Sequence, residues 1–297
     1  MVTNLQAYQD YLQKEKNYSS LTLRAYLDDI KSFQNYLEEN HEKLPLEQIN
    51  YSQVRSWIVV LVENGIANKS INRKISSLKS YYRFLLKIKQ IEFSPLSKHK
   101  SLKVPKKVQI PFSEKELSSV LEMGFIEDDF ESIRNKLVVE LFYTTGIRRA
   151  ELINLKTNNL DKYNKTLKVL GKRNKERIIP LLDCTIDLIN QYNLQKDKLE
   201  IIQNTDVLIL SKKGKILSET FVYRMINSYF STISEKIKKS PHVLRHTFAT
   251  HLLNNGADLN SVKELLGHAS LSSTQIYTHS SLTELQRVYK DAHPRNK

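Results

Sequence analysis

The sequence predicts a mainly α-helical protein of two domains, the first wholly helical and the second α-rich with one small β-hairpin. Three observations carry that expectation. Apolar residues recur at helical spacing through most of the chain, only Thr166–Leu170 and Glu176–Pro180 read as strands, and 297 residues is about the size at which single cores stop growing. A hydrophobic content of 40% supports real cores and excludes wholesale disorder.

In the first hundred residues the apolar stripes are Leu5, Tyr8 and Leu12; then Leu23, Tyr26, Leu27, Ile30, Phe33 and Leu37; then Val54, Ile58, Leu61 and Val62. A fourth helix follows, where Ile71, Ile75, Leu78, Tyr82 and Leu85 step by 4, 3, 4, 3. These give a four-helix domain over residues 1–96. Pro95, Pro105 and Pro111 then punctuate a stretch rich in Lys and Ser, so residues 97–110 read as an extended basic linker. Its Lys98, Lys100, Lys103, Lys106 and Lys107 suit a flexible tether that closes two domains around a duplex, or one that merely solubilises. Ser113 and Glu116 form a capping-box pattern opening the second domain, residues 111–297.

Charge is concentrated. From Lys69 to Lys107 there are twelve basic side chains and one acidic, a net +11 of the chain's +14. On the fourth helix Lys69, Arg73, Ser76, Ser80 and Arg83 lie about 200° from the apolar stripe, flanked by Asn72 and Lys79. Lys69, Asn72, Arg73, Ser76 and Lys79 are thus candidate DNA contacts, offering phosphate partners and base-edge donors together. A solvated charged face is the alternative.

Other classes are excluded. The closest of the seven glycines are eleven residues apart, so neither GxGxxG nor GxxxxGK[ST] can be written. The single cysteine, Cys184, allows no disulfide within the chain and no CxxC zinc site. The longest apolar run, Trp57–Val62, is far below a membrane span, and the first residues lack signal-peptide character. A cytoplasmic protein is expected, with no membrane partner.

The second domain gathers reactive residues. Gly171-Lys172-Arg173-Asn174-Lys175 joins the two strands and could aim Lys172 at an anion, or be an ordinary exposed turn. Thr144–Leu152 puts Arg148 and Arg149 at a helix start, suited to phosphate or to a structural pair with Glu151. Six of eight histidines fall in the last 56 residues. Pro241 starts a helix with His242 and Arg245 on one face and Leu244, Phe248 and Leu252 on another. His242 and His246 have i, i+4 spacing but lack the HExxH glutamate, so no metal site is expected. A further helix over Leu259–Leu266 stops at Gly267, followed by His268. Tyr277 is one of 15 tyrosines and needs context to stand out. Leu282–Tyr289 reads as a last short amphipathic helix.

That context is the ordered set. Arg148 within Gly-Ile-Arg-Arg-Ala-Glu-Leu, Lys172 after Gly171, His242-Val243-Leu244-Arg245-His246, Leu266-Gly267-His268, and Tyr277 nine residues on together resemble the tyrosine recombinases of the phage integrase family. The resemblance is greatest to the Xer-type site-specific recombinases of bacteria and covers essentially the whole chain. It implies a helical N-terminal core-binding (SAM-like) domain and a tyrosine-recombinase catalytic domain. Arg148 and Arg245 would clamp the phosphate oxygens, since a bidentate guanidinium matches the charge that builds at phosphorus. Tyr277 would be the nucleophile, His242 would help accept its proton, His268 would hydrogen-bond the phosphate, and Lys172 would protonate the leaving 5′-oxygen. Glu151 would brace the catalytic arginines and histidine or serve structure alone, and Arg149 would face solvent or DNA. His246 and His251 match no catalytic slot and default to packing or to supporting the residues that do.

The resemblance further implies a metal-free, cofactor-free reaction through a 3′-phosphotyrosyl link, on double-stranded DNA bearing a short inverted repeat. It implies a homo- or hetero-tetramer on two duplexes, with a sister recombinase and a DNA translocase as possible partners, in a cytoplasmic, nucleoid-associated setting. Chromosome dimer resolution, and with it chromosome partition and cell division, is the expected role. Integration or transposition of a mobile element, type IB topoisomerase-like relaxation and simple DNA binding are the alternatives. The larger phage-integrase architecture, with an arm-binding domain ahead of the first helix, is weakly disfavoured as an expectation. The C-terminal segment would dock on a neighbouring subunit, or on its own domain.

Overall fold

The computed structural model describes residues 3–40, 44–105, 109–123, 129–171, 175–204, 206–236, 239–267 and 279–296. The chain divides into two compact units, Met1–Lys107 and Val108–Lys297.

In the first unit, α1 (Asn4–Asp10) is capped by the Thr3 hydroxyl and runs into a π-helical turn over Tyr11–Glu15. Then come α2 (Ser20–Asn40), α3 (Tyr51–Glu63), opened by an Asn50–Gln53 capping box, and α4 (Asn68–Lys87). The expected α4 stripe is buried in full, against Tyr8, Leu12, Phe33 and Trp57. One stripe residue differs: Val62 is 49% exposed, while Trp57 is 2% exposed. The run 57–62 is apolar all round, so its composition does not single out the face that packs; the face is Val54, Trp57, Ile58 and Leu61. Beneath α4 the buried Asp29 accepts hydrogen bonds from Arg73 Nη1 (2.5 Å) and Nη2 (2.8 Å) and from Ser77 Oγ (2.7 Å), stapling α2 to α4.

The segment after α4 does not run free, as a flexible linker over 97–110 would. Asn72 donates to the Leu102 carbonyl and accepts from the Leu102 N–H, both at 2.9 Å. Asn68 holds the Lys103 carbonyl at 2.9 Å, and Lys79 holds that of His99 at 3.2 Å. Leu96 and His99 are buried and Leu102 packs on the helical core. Proline spacing marked the extended backbone; three inward side chains at intervals of three lay it on α4.

In the second unit, α5 (Glu114–Glu122) has the expected Ser113–Glu116 capping box. The central helix α6 (Phe130–Thr145) is buried on nearly every face and ends at Gly146 in the left-handed conformation. After the short α7 (Arg149–Ile153) come three strands, β1 (Leu160–Asp161), β2 (Thr166–Leu170) and β3 (Glu176–Pro180). They form an antiparallel sheet in that order, with Val169 opposite Arg177. The hairpin thus gains a two-residue edge strand that is too short to read from sequence. Helices α8 (Asp183–Lys196), α9 (Glu219–Ser231), α10 (Pro241–Asn254) and α11 (Leu259–Leu266) complete the layers around α6. The last helix, α12 (His279–Ala292), is longer than its apolar stripe suggests.

Helix α12 packs on its own unit. The buried Tyr289 hydroxyl donates to the Thr144 carbonyl at 2.7 Å, His293 Nε2 donates to the Tyr143 carbonyl at 3.2 Å, and Arg295 pairs with Glu140. Among the described residues no helix is long and apolar enough to cross a membrane.

Candidate active site

The site grows out of the turn between α6 and α7. Gly146 takes φ +58°, which only glycine adopts freely, and a Cβ there would lie 2.5 Å from Phe248 Cδ1. The turn therefore sits directly against α10. Two residues later Arg148 caps α7, its N–H donating to Glu151 Oε2 (2.9 Å) and its Nη1 to Glu151 Oε1 (2.7 Å). The neighbouring Arg149 turns away and pairs with Glu219 on α9.

Arg245 comes from the first turns of α10. It is 7% exposed, and its guanidinium spans two buried backbone carbonyls, Gly146 (2.5 Å from Nη1) and Leu266 (2.6 Å from Nη2). Burial, followed by the charges of Arg148 and Arg177, pulls its pKa down to about 9, with Glu151 opposing. His242 lies one turn before it on the same helix and is exposed.

A third arginine, Arg177, was not singled out by sequence reasoning. It points inward from β3 and is 4% exposed. Its Nη2 and Nη1 hold Glu151 Oε2 (2.7 Å) and Oε1 (3.0 Å), and its Nε donates to the Leu265 carbonyl (2.9 Å). One signal was available: in Glu176–Pro180 the strand period puts Arg177 on the face of Ile179, and an inward cation needs a partner. Burial works against the Glu151 charge, but hydrogen bonds and charge from Arg177, then hydrogen bonds from Arg148, hold its carboxyl down at about 2.

Three guanidinium groups thus converge around one ionised carboxylate. Two of them are buried, so the surplus charge is poorly screened, and an anion with several oxygens is the species that would relieve it.

Lys172, His268 and Tyr277 lie outside the described residues. Of the histidines without a slot, His246 meets the Gln109 carbonyl at 3.1 Å. His251 lies buried between the Tyr143 hydroxyl (3.0 Å) and the Phe112 carbonyl (2.9 Å). A carbonyl only accepts, so His251 Nε2 carries the proton and Nδ1 takes the tyrosine's, a neutral structural role. In the first unit Lys69 and Ser76 are exposed, Asn72 is engaged on Leu102, Lys79 reaches the His99 carbonyl, and Arg73 is half exposed on Asp29.

Comparison with known proteins shows the family. Residues 112–284 match the phage integrase family, and residues 5–89 match its N-terminal SAM-like domain. The tyrosine recombinase XerC of Staphylococcus epidermidis is 39% identical over 286 residues, covering 96% of this chain and 95% of that protein. Two solved structures share the fold. One is a Tn1549 transposon integrase in complex with transposon right end DNA (TM-score 0.71, 19% identity, 96% and 99% of the two chains), the other an XerH site-specific recombinase bound to palindromic difH substrate (TM-score 0.69, 22% identity, 99% and 82%). A family match over more than half the chain, and a relative this similar along nearly its whole length, put the chain in the phage integrase family, as a tyrosine recombinase that breaks and rejoins DNA.

Proposed function

We propose that this chain is a Xer-type recombinase that resolves chromosome dimers at a short inverted-repeat site. The observation that carries the reading is the surplus of guanidinium charge around Glu151, which a scissile phosphate would neutralise. In the reaction Tyr277 Oη attacks phosphorus as His242 takes its proton, Arg148 and Arg245 hold the nonbridging oxygens, and His268 hydrogen-bonds the phosphate. Lys172 protonates the departing 5′-oxygen, leaving a 3′-phosphotyrosyl bond and a free 5′-hydroxyl. A 5′-hydroxyl from the second duplex reverses the step and regenerates Tyr277 without an external energy source.

The near full-length similarity to XerC proteins favours the chromosomal role over integration of a mobile element. In this reading the enzyme acts in the cytoplasm at the nucleoid, as a tetramer on two duplexes with a sister recombinase and a DNA translocase. Lys69, Arg73, Lys79 and the lysines strapped beside them grip the duplex backbone, and Asn72 and Ser76 serve that grip by holding backbone in place.

A duplex nicked near the scissile phosphate is expected to trap a covalent adduct, abolished by Tyr277→Phe. No adduct, or an undiminished one in the variant, rejects the chemistry. Recombination between two plasmid copies of an inverted repeat from the replication terminus is expected for the chromosomal role. A site beside the gene alone would indicate a mobile element, and relaxation at many sites without recombinants a topoisomerase.

A further inference from the structure

The last turn of α11 has an arrangement that the six-residue constellation does not require. A helix end leaves its final carbonyls without intrahelical partners. Here three consecutive ones go to three different arginines. The Leu265 carbonyl accepts from Arg177 Nε (2.9 Å), that of Leu266 from Arg245 Nη2 (2.6 Å), and that of Gly267 from Arg148 Nη2 (3.5 Å). Two of these arginines are the phosphate clamps; the third holds them in register.

We propose that Arg177 is a positioning residue for strand cleavage, locking β3 to Glu151 and to the end of α11 and so fixing Arg148 and the carbonyl on which Arg245 rests. This rests on the assignment of Arg148 and Arg245 to the scissile phosphate. Arg177 is itself withdrawn from DNA: its side chain is 5% exposed and donates three hydrogen bonds into the protein. Glu151 links the two arginines, because Oε1 accepts from both Arg148 Nη1 and Arg177 Nη1. With Arg177 gone, Glu151 is free to rotate with Arg148, and the Leu265 carbonyl loses its donor.

The fit is tight on the other side. Gly267 has φ +65°, and a Cβ there would stand 2.9 Å from Arg177 Cδ. The turn leading to His268 therefore rests on the Arg177 stem. A misplacement of reacting groups by about 1 Å costs on the order of 10²-fold in rate, the scale expected here.

The test is single-turnover cleavage of the nicked duplex at saturating concentration, with DNA affinity and thermal melting measured in parallel. Arg177→Gln is expected to lower the cleavage rate by about 10²-fold while affinity changes less than about threefold. Arg177→Lys keeps the charge toward Glu151 but cannot also span to Leu265, so it should lose roughly tenfold; it carries the test if the glutamine variant does not fold. The double variant with Glu151→Gln should cleave no more slowly than the worse single one, as for two groups acting as a unit. Folded Arg177 variants that cleave at the normal rate, or losses that simply multiply, overturn the proposal. If Arg148→Ala and Arg245→Ala also cleave normally, the phosphate-clamp assignment has failed instead.

Discussion

Each unit of the molecule is built around a buried carboxylate among cations, and the two differ in where the charge goes. In the N-terminal unit the Asp29 side chain is 3% exposed, yet its partner Arg73 is 52% exposed and Lys74 18%. The cations reach water, so their surplus is screened and the cluster is a staple between two helices. In the C-terminal unit Glu151 is 7% exposed and Arg177 5%, Arg148 is 40% exposed, and the third cation, Arg245, is buried on two backbone carbonyls. There two of the three cations stay inside the protein. The same device holds two helices together when it opens to solvent, and in the proposed reading it receives an oxyanion where most of its charge is buried.

The comparison breaks most readily at the carboxylates. Glu151→Gln leaves the buried Arg177 without its counter-charge and should destabilise the C-terminal unit by about 3–5 kcal/mol, whereas Asp29→Asn, whose cations reach solvent, should cost about 1–3 kcal/mol. Trp57, the single tryptophan, reports the first unit by fluorescence, while urea unfolding followed by circular dichroism reports both. Equal losses would show that exposure of the cations does not matter.

An added anion sharpens it. Sulfate, compared with chloride at matched ionic strength, should stabilise the C-terminal unit by up to about 2.7 kcal/mol at a hundredfold excess over its dissociation constant. The Trp57 transition should not move, and Arg245→Gln should remove the effect. A shift of both units alike would point to general salting-out.

Acid titration separates the units in a third way. Burial depresses His293 to about 3, so this histidine is neutral in the fold and would be protonated near pH 6.5 when unfolded. Its contribution is complete above about pH 6.5 and drains as pH falls toward 3, at up to about 1.4 kcal/mol per pH unit. Glu151, held down at about 2, adds its own loss only below about pH 4.5. The C-terminal unit should therefore weaken from pH 6.5 downward, and His293→Gln should flatten the first part of that slope. An unchanged slope would place the acid sensitivity elsewhere.

The smallest effect expected is at the proposed DNA grip. Lys69→Ala should reduce the slope of log affinity against log salt by about 0.9 and leave the melt unchanged, since Lys69 is exposed. Arg73→Ala should lower both, because it also removes two hydrogen bonds from Asp29. Melting of the first unit that ignores Arg73→Ala would mean that the staple carries no load.

What the sequence made legible follows from range. The α4 stripe, the Ser113–Glu116 box, the stop at Gly267 and the bounds of β2 and β3 are set by residues within a turn or two of each other. The Arg177–Glu151 pair joins residues 26 positions apart, and a strand pattern says which way Arg177 faces but not what waits there. The strap from Leu96 to Lys103 was hidden for a related reason. Its lysines dominate composition, while its attachment comes from Asn68 and Asn72, thirty or more residues earlier. Asn72, read as a base-edge donor, also holds that backbone, through one Nδ2 donation and one Oδ1 acceptance at Leu102.

Gly146 has a wider consequence. Its absent side chain leaves room for Phe248 and Leu266, and its carbonyl receives Arg245, so one residue belongs at once to the hydrophobic core and to the turn that carries Arg148. Cores are packed too densely to yield in part. Heat should therefore silence this enzyme in a single cooperative event, with activity and tertiary structure lost on the same curve. Variants selected for a looser, more permissive active site will surrender thermal endurance in the same step.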